Sequence, residues 1–461
     1  MLNQDTDTIA AVATPPGSGG VAIVRLSGPR SLALGLSLFR SHRPDFAGFK
    51  PSRMHFGEIL DEHGQALDQG LMVAMPGPGS FTGEDVLEIH CHGGRGMVRA
   101  VLGAVLASGA RLAGPGEFTL RAYLNGRLDL TQAEAVAELV SAPTRAALGW
   151  AKVKLDGALG RRVRDLRASL EDLRVKLTLA VDFPEDEVEC CPPDELISGV
   201  EQTLRGLRSL LAGVRRAGLW REGALVVLAG RVNAGKSSLL NALLGRERAI
   251  VADLPGTTRD YLEETLDLEG LPVRLMDTAG LRDTGDVVEM EGLRLGQEFT
   301  EQADLVVLVV DRSQGLEARE RALLERLGPA RVLVALNKAD LPARETDLAE
   351  ELAGQGFEVL VLSAKQGLGL EDLATAMRRR LLAAGGEPDP DAPVPNARQA
   401  TALARAAGEL EALAVEAAQG LPYDLLGVRL ELACSILSEV TGEMAPQQVL
   451  DQIFSRFCIG K

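Results

Sequence analysis

The chain has 461 residues, too many for one hydrophobic core, and we expect about three domains. Its formal net charge of −16 excludes nucleic-acid binding by bulk attraction, so any RNA contact requires a local basic surface. The five cysteines form no CxxC pair, which argues against a disulfide framework and favours a reducing compartment.

Targeting and membrane signals are absent from the sequence pattern. The first residues, MLNQDTDTIAAVATPPG, have no basic start and no long apolar run, so we expect no signal peptide. No apolar stretch reaches the length of a membrane span. We therefore expect a cytoplasmic protein with no membrane partner.

The first 120 residues mix short β-like runs with Gly/Pro turns. The runs are GVAIVRLSG, GLMVAMPGPGS and DVLEIHCHGG, and an apolar helical stretch, GMVRAVLGAVLASGA, follows them. This pattern predicts a compact N-terminal α/β domain over residues 1–120.

Residues 121–221 change to long amphipathic helices. Examples are LTQAEAVAELVSAPTRAALGWAKVKL and RRVRDLRASLEDLRVKLTLAV, and the acidic, Pro-bearing DFPEDEVECCPPDE between helices predicts a loop. We interpret this stretch as the first part of a helical domain.

Residues 222–383 alternate apolar strands with helices. Runs such as ALVVLAG, ADLVVLVVD and ARVLVALNKAD predict a doubly wound, mostly parallel sheet covered on both faces. A linker, AAGGEPDPDAPVPN, follows, and helical pattern resumes at Ala397. The helices of residues 384–461 make a thin core alone, so we expect them to complete the helical domain, with the β-rich segment inserted into it.

The inserted segment begins with a phosphate-binding motif. The strand ALVVLAG leads into GRVNAGKSSLLNALLG, in which Gly230, Gly235, Lys236 and Ser237 match GxxxxGK[ST]. Glycines let backbone N–H groups surround phosphates, Lys236 offsets their charge, and the Ser237 hydroxyl suits Mg²⁺. A motif of this kind between a strand and a helix predicts a P-loop.

Three more motifs follow in order. DTAG (277–280) ends a strand, where Asp277 suits Mg²⁺ through water and the Gly280 amide suits the γ-phosphate. NKAD (337–340) ends another strand, and the Asp340 carboxylate can accept the two N–H groups of guanine, which adenine lacks. SAK (363–365) would close the base pocket, and Thr258 in DLPGTTRD would complete the coordination of Mg²⁺. Together these motifs predict a GTPase.

The water-positioning group is unusual. Many small GTPases carry Gln directly after DxxG, but here that position is Leu281, so another group must orient the water. The following segment, RDTGDVVEMEG, is rich in carboxylates. Arg259 and Arg282 are candidate arginine fingers, although exposed switch arginines are commonly solvated. A bound monovalent cation is an alternative source of positive charge, with Asn233 as a side-chain oxygen ligand.

Three other features have competing interpretations. In IHCHGG, His90 and His92 share one strand face and Cys91 points away, which disfavours a metal site. The basic stretches 160–167 and 378–380 are either RNA contacts or solvated helix faces. Cys458 in the final RFCIGK matches a prenylation box poorly, and the alternatives are a packed thiol in a frayed tail or a reactive one.

Several blocks resemble one family throughout the chain. GRVNAGKSS, GTTRD, DTAGLR and FCIGK, together with ATPPGSGGVAIVRLSG, PGPGSFTGEDVLEIHCHGG and PGEFTLRAYLNGRLDLTQAEA, are similar to blocks of the tRNA-modification GTPase family MnmE, also called TrmE. Two departures are Val232, where Pro is usual, and Arg127, where Lys is common, which keeps the charge but changes its geometry.

The resemblance implies an activity and its partners. The N-terminal domain would bind 5-formyl- or 5,10-methylene-tetrahydrofolate and form a homodimer. The G domain would be a K⁺-activated GTPase. With the FAD-dependent partner MnmG, in a heterotetramer, the protein would add an aminomethyl or carboxymethylaminomethyl group at C5 of the wobble uridine, U34, of certain tRNAs.

The resemblance also assigns site residues. Glu289 would be the catalytic glutamate that orients water, beside Lys236 of the P-loop. Magnesium would be held by Ser237 and Thr258. The K⁺ ligands would be Asn233, Ala252, Leu254 and Thr257. Folate contacts would be Arg25, Glu88, Arg127 and Lys461, and Cys458 is the candidate for the modification chemistry.

The predicted GTP-binding set combines the motifs with the resemblance. It consists of Asn233, Ala234, Gly235, Lys236, Ser237, Ser238, Ala252, Asp253, Leu254, Pro255, Gly256, Thr257, Thr258, Asp277, Thr278, Ala279, Gly280, Asn337, Lys338, Asp340, Ser363, Ala364 and Lys365.

Two other functions compete with this interpretation. One is an RNA-binding GTPase switch of the Era type in ribosome assembly, which a basic C-terminal RNA-binding module would favour. The other is a folate aminomethyltransferase with a regulatory G domain. The acidic C-terminal helices and the folate-like N-terminal blocks favour the modification enzyme over the switch.

Overall fold

The computed structural model describes residues 7–142, 144–182, 191–246, 263–277, 298–344, 348–383, 389 and 391–460. Its contacts divide the chain into two compact units. The first comprises Met1–Ala137, Lys154–Leu207 and Thr401–Lys461, and the second comprises Glu138–Val153 and Arg208–Ala400. Within the described ranges, no helix is both long and apolar enough to cross a membrane.

The first unit contains a seven-stranded sheet in the order β3-β4-β5-β6-β2-β1-β7. All its strand pairs are antiparallel except β1 with β7. The strands are Ile9–Val12 (β1), Gly19–Ser27 (β2), Phe39–Ser41 (β3), Met54–Leu60 (β4), Ala66–Met75 (β5), Val86–Gly93 (β6) and Arg111–Leu112 (β7).

Helices cover one face of this sheet. The short helix Ser31–Ser37 (α1) and the longer Arg95–Ala107 (α2) pack on it, and α2 contributes Val101 and Val105 to a core shared with Leu26 and Ile89. Apolar residues alternate along the central strands, as a sheet with one buried face requires. This confirms the predicted N-terminal α/β region.

The remaining helices of the first unit are Glu117–Leu124 (α3), Leu130–Ser141 (α4), Ala158–Asp182 (α6), Pro193–Glu222 (α7), Ala397–Ala418 (α12), Tyr423–Thr441 (α13) and Gln447–Phe454 (α14). The helix Arg145–Leu155 (α5) belongs mostly to the second unit, and the unit division falls within α4, α5, α7 and α12. Helices α6 and α13 pack together, with Arg167 donating to the Ser438 hydroxyl at 2.8 Å.

The second unit is built on a six-stranded sheet in the order β13-β12-β11-β8-β10-β9. Its strands are Ala224–Ala229 (β8), Glu263–Leu268 (β9), Leu271–Asp277 (β10), Leu305–Asp311 (β11), Val332–Asn337 (β12) and Glu358–Val361 (β13), and only β9 is antiparallel to its neighbour. The helices that follow the P-loop are Lys236–Arg246 (α8), Ala318–Leu327 (α9), Leu348–Gly354 (α10) and Leu370–Ala383 (α11).

Both faces of this sheet are buried. In β8, Val226 and Leu228 belong to one apolar cluster, whereas Leu225 and Val227 belong to another on the opposite face. A parallel sheet covered on both sides requires such continuous apolar strands, and this confirms the predicted doubly wound α/β region.

One predicted helix is wrong in extent. The run LTQAEAVAELVSAPTRAALGWAKVKL, interpreted as one long helix, forms α4, which ends at Ser141, and α5, which begins at Arg145. The sequence has Pro143 between them, and proline removes a helical N–H donor and disfavours a helical conformation in the residue before it. The apolar periodicity continues through Pro143, so periodicity alone cannot show where α4 ends.

Candidate functional site

The P-loop lies between β8 and α8, and two of its glycines have no room for a side chain. Gly230 has φ of 136°, and a Cβ there would lie 2.2 Å from the Val309 carbonyl oxygen. Gly235 has φ of 99°, and its Cβ would lie 2.2 Å from Asn337 Nδ2. Both conformations favour glycine, so the loop can approach neighbouring strands closely and keep its amides available.

Lys236 begins α8 and is almost fully buried. Its Nζ donates to the carbonyl oxygens of Gly230 and Arg231, each at 2.8 Å. The ammonium therefore sits over the loop, at the N-terminus of α8, where backbone N–H groups and the helix dipole favour phosphate.

Ser237 and Asp277 bring two oxygen groups together from different elements. The Ser237 hydroxyl, at the start of α8, donates to Asp277 Oδ2, at the end of β10, over 2.7 Å. Hydroxyl and carboxylate oxygens are the groups that Mg²⁺ prefers. The side chains at this edge of the sheet therefore fit a magnesium ion.

Asn337 connects three motifs. Its Nδ2 donates to the Ala234 carbonyl of the P-loop at 2.9 Å, and its Oδ1 accepts from the Ala364 amide at 3.0 Å. The side chain is buried, so both bonds form away from water. The P-loop, NKAD and SAK motifs thus form one connected site.

Lys338 and Asp311 form an ion pair beside the P-loop. Lys338 has φ of 64°, and its Nζ lies 2.6 Å from Asp311 Oδ2. Burial acts to raise the pKa of Asp311, but hydrogen bonds from Lys338 and Ser313 outweigh it, so the pKa lies below its usual value. The carboxylate therefore stays ionised and holds the lysine stem in place.

Asp340 is oriented by the SAK motif. The Ser363 hydroxyl donates to Asp340 Oδ1 at 2.6 Å, and this hydrogen bond is the main reason that the pKa of Asp340 lies below its usual value. An ionised carboxylate accepts hydrogen bonds only, which is what recognition of the guanine N–H edge requires.

The remaining nucleotide residues divide into two groups. Asn233, with φ of 63°, Ser238 and Lys365 are exposed around the P-loop and SAK motif. The other predicted positions lie outside the described residues: Ala252, Asp253, Leu254, Pro255, Gly256, Thr257, Thr258, Thr278, Ala279, Gly280 and the catalytic candidate Glu289.

In the first unit, Arg25 and Glu88 are neighbours across β2 and β6. Arg25 Nε donates to Glu88 Oε1 at 2.9 Å, and Arg25 Nη2 lies 2.8 Å from the same oxygen. The guanidinium carbon lies 5.9 Å from the centre of the Phe118 ring, a distance typical of cation–π contact. The Arg25–Glu88 pair and the Phe118 ring therefore form one half-buried site, which we call the tail site.

The C-terminal tail reaches this place. The Gly116 amide donates to the Cys458 carbonyl at 3.4 Å, Ile459 forms a β-bridge with Pro115, and Arg25 Nη1 donates to the Gly460 carbonyl at 3.5 Å. The tail is thus docked and not frayed, and the Cys458 side chain is exposed. Lys461 lies outside the described residues.

Gly460 is part of the docked tail, whereas Arg127 has no bond to the Arg25–Glu88 pair in the described part of the chain. Gly460 has φ of 99°, and a Cβ there would lie 2.2 Å from the Val12 carbonyl oxygen, so glycine is required where the tail meets β1. Arg127 is exposed and passes Gly83, where a Cβ would lie 3.3 Å from Arg127 Cγ. No hydrogen bond or ion pair joins it to Arg25 or Glu88 among the described residues.

The IHCHGG segment has the geometry that disfavours a metal. Cys91 points into the core, where burial raises the pKa of its thiol, whereas His92 is exposed and its Nδ1 lies 2.7 Å from Asp68 Oδ1. In the part of the chain that the structure describes, no group of three or more His, Cys, Asp or Glu side chains is placed to hold a metal.

Sequence reasoning missed Asp311 and Glu117. Asp311 is the last residue of β11, and the carboxyl ends of parallel strands meet at one edge, so its position beside the P-loop was open to inference. Glu117 has no comparable signal, because its role depends on a turn: its Oε2 accepts from the Gly114 amide at 2.8 Å, next to the residues that receive the tail.

A P-loop between a buried strand and its helix, an NKAD aspartate held by the SAK serine, and a doubly wound sheet define a GTPase of the P-loop class. Family models match almost the whole chain: MnmE helical domain over residues 130–458 and GTP-binding protein TrmE N-terminus over residues 8–127. The chain therefore belongs to the MnmE family of tRNA modification GTPases.

Individual relatives agree with this assignment. The tRNA modification GTPase MnmE of Nitratidesulfovibrio vulgaris (strain DP4) is 54% identical over 461 residues, covering 99% of this chain and 100% of the relative. The proteins of the same name from Parasynechococcus marenigrum (strain WH8102) and Lawsonia intracellularis (strain PHE/MN1-00) are 47% and 44% identical, each over 99% of this chain and at least 99% of the relative.

Among solved structures, the G domain of the T. maritima FeoB iron transporter is 28% identical. It covers 35% of this chain and 97% of that one, with a TM-score of 0.27. The family assignment therefore depends on the full-length sequence matches.

Proposed function

We propose that this protein is a K⁺-activated GTPase. With the FAD-dependent partner MnmG, it adds an aminomethyl or carboxymethylaminomethyl group to C5 of U34 in certain tRNAs. The observation that carries the proposal is the connected nucleotide site, in which Asn337 joins the P-loop to the SAK motif, in a chain that matches MnmE proteins over its full length.

The chain's own residues account for GTP binding. P-loop amides and Lys236 would bind the phosphates, and the ionised Asp340 would accept hydrogen bonds from the guanine edge. Ser237 and Thr258 would hold Mg²⁺, which neutralises phosphate charge when bound; the paired Ser237 and Asp277 oxygens support this fit.

The hydrolytic step needs a water-orienting group in place of the missing glutamine. Glu289 is our candidate, because it lies in the carboxylate-rich segment after Leu281. Asn233, Ala252, Leu254 and Thr257 would hold K⁺, which supplies positive charge near the phosphates. The exposed Asn233 side chain, on a left-handed residue of the P-loop, is compatible with that assignment.

The folate site would combine Arg25 and Glu88 with the docked tail. A reduced folate carries glutamate carboxylates and a pterin, which an arginine and a glutamate can recognise, respectively. The contact between Arg25 and the Gly460 carbonyl supports a site to which Lys461 also contributes. We include Arg127 in this site on the family resemblance alone, and the exposed Cys458 is the candidate for the modification chemistry.

The assembly and location follow the same proposal. The protein would act as a homodimer, with MnmG in a heterotetramer, on tRNA as substrate. We place it in the cytoplasm, since Cys91, Cys191, Cys434 and Cys458 are free thiols and a reducing compartment suits them.

Hydrolysis of GTP by purified protein tests the catalytic part of this proposal. At equal ionic strength, we expect the rate in KCl to exceed that in NaCl by at least about tenfold, because K⁺ charge stabilises the transition state. Glu289→Ala should retain GTP affinity and slow hydrolysis by about 100-fold. Equal rates in both salts would remove Asn233 from the mechanism, and an unchanged Glu289→Ala rate would remove Glu289.

A further inference from the structure

The connection between β3 and β4, residues 42–53, carries three cations that have no carboxylate partner in the described part of the chain. We call it the basic loop. The side chains of Arg43, Lys50 and Arg53 are exposed, and none makes an ion pair or hydrogen bond with any residue that the structure describes. Asp45 is the one carboxylate between residues 42 and 56. The basic loop is therefore a locally positive surface in a chain whose net charge is −16.

Aromatic side chains support the basic loop and border it. Phe46 packs edge-on against Phe49 at 5.5 Å and against His55 at 5.3 Å between ring centroids, which fixes the loop on the edge of the sheet. Phe56 is 52% exposed, and its ring lies 5.1 Å from that of His42. An accessible aromatic face thus lies against His42, the first residue of the basic loop.

The basic stretches noted in the sequence differ from this loop, because carboxylates of the same unit neutralise most of their charge. Arg164 pairs with Asp129 at 3.0 Å, and Arg167 pairs with Glu443.

In the 378–380 stretch, Arg380 pairs with Glu358 at 2.9 Å, as does Arg379, and Arg378 lies 3.5 Å from Glu269. Cations already paired release less free energy on meeting phosphate, so the unpaired cations of the basic loop are better placed to bind a polyanion.

We propose that the basic loop, with Phe56, binds single-stranded RNA in the loop of the substrate tRNA. Phosphates would contact Arg43, Lys50 and Arg53, and an unstacked base would lie on the Phe56 ring, the combination by which proteins bind single strands. This inference rests on the proposed function, in which tRNA is the substrate. The inference adds the surface of the protein that binds the tRNA loop.

A second copy of the chain is the competing occupant of this surface. If this surface were the interface of a two-fold dimer, the same patch of both copies would meet, and the positive charges of Arg43, Lys50 and Arg53 would be brought together. The unpaired positive charge therefore favours a polyanion over self-association.

The test uses the full chain and a fluorescein-labelled RNA hairpin whose loop contains an unmodified uridine. Fluorescence anisotropy at several KCl concentrations gives the affinity and its salt dependence. The Arg43→Gln/Lys50→Gln/Arg53→Gln variant should bind at least about tenfold more weakly, and its slope of log K against log[KCl] should fall by about 2, at about 0.7 per lost phosphate contact.

Two further variants separate charge from stacking. The matched control, Arg95→Gln/Arg99→Gln/Arg162→Gln, removes three exposed cations elsewhere and should change neither value. Phe56→Leu keeps apolar volume but removes the ring, so it should weaken binding by about fivefold with an unchanged salt slope.

The outcomes are distinguishable from failure of the proposed function. Every variant is also assayed for GTP hydrolysis, whose described nucleotide residues belong to the second unit, and the rate should equal that of the wild type. Equal RNA affinity in the triple variant and its control, or no hairpin binding by the wild type, would overturn the proposal. So would a dimer that dissociates in Phe56→Leu, measured by light scattering, while RNA affinity is unchanged.

Discussion

The nucleotide site and the tail site are assembled in opposite ways. In the second unit, the P-loop, NKAD and SAK motifs each carry their chemistry within a few consecutive residues, and a parallel sheet brings their strand ends to one edge. In the first unit, Arg25, Glu88, Gly116 and Gly460 come from four distant segments and meet only through tertiary contacts. The nucleotide site can therefore be predicted from short motifs, whereas the tail site depends on tertiary contacts that keep each segment in position.

The largest effect should follow from Gly235→Ala, which tests the motif-based site. Its Cβ would lie 2.2 Å from Asn337 Nδ2 at φ of 99°, so the connection to NKAD must break. We expect GTP affinity, measured by calorimetry, to fall by about 100-fold, equivalent to roughly 3 kcal/mol of strain and lost contacts.

Gly245→Ala is the matched control for this variant. It lies in the same helix, α8, with open space around its Cα, and should bind GTP as the wild type does. Wild-type affinity in Gly235→Ala would show that the three motifs are not connected as described.

Asp340→Asn should alter nucleotide choice at the same site. The amide of asparagine donates where the carboxylate accepted, so it opposes the guanine N–H groups and suits a base with a carbonyl at that position, such as xanthine. We expect GTP affinity to fall by about 30-fold and XTP affinity to exceed it. Competition between the two nucleotides measures this change, and retained preference for GTP would exclude Asp340 from base recognition.

Gly460→Ala should weaken the tail site and leave the nucleotide site intact. The new Cβ would collide with the Val12 carbonyl, which lifts the tail from β1 and breaks the contact with Arg25. We expect affinity for 5-formyltetrahydrofolate to fall by about tenfold at an unchanged GTP hydrolysis rate.

The control for this variant is Gly420→Ala, which has φ of 76° but open space. It imposes backbone strain without a collision and should keep folate affinity. A Gly460→Ala protein that binds folate as well as wild type would mean that the docked tail does not contribute to that site.

The smallest effect concerns Glu117, which holds the turn that receives the tail. Its nearly buried carboxylate pairs with Arg111 at 2.6 Å and Arg121 at 3.2 Å. Burial acts to raise the pKa of Glu117, but hydrogen bonds from Arg111 and the Gly114 amide hold it below its usual 4.5. Because the folded pKa is depressed, this stabilisation is present above pH 4.5 and is lost as the pH falls below it.

Glu117→Gln should therefore destabilise the first unit at neutral pH by only about 1 kcal/mol, since Arg111 keeps Asp7 as a partner and Arg121 keeps Asp7 and Glu84. Its stability should also fall less than that of the wild type between pH 5 and pH 3. Hydrogen exchange of β1 and β7 measures both effects. Parallel pH profiles for the two proteins would contradict the assignment of the acid-sensitive carboxylate.

The same contrast explains what the sequence could predict. The sheet of the second unit follows from apolar strands such as LVVLVVD, and its site follows from GRVNAGKSS and NKAD, because periodicity and short motifs are local. The break between α4 and α5 and the ion pairs of Glu117 were not predicted from periodicity. The basic loop was missed because charge counts do not reveal which cations have partners: Arg164 and Lys50 look alike until Asp129 is seen beside the first.

The most direct test of the whole account is mass spectrometry of wobble uridines in tRNA from a strain that lacks this chain. We predict loss of the modification at C5 of U34, restored by the wild-type gene but not by Gly235→Ala, which disables the nucleotide site, and only partly by Gly460→Ala, which weakens the tail site. Fully modified U34 in the deleted strain, with ribosomal subunit precursors accumulating instead, would contradict the account and favour a GTPase switch in ribosome assembly.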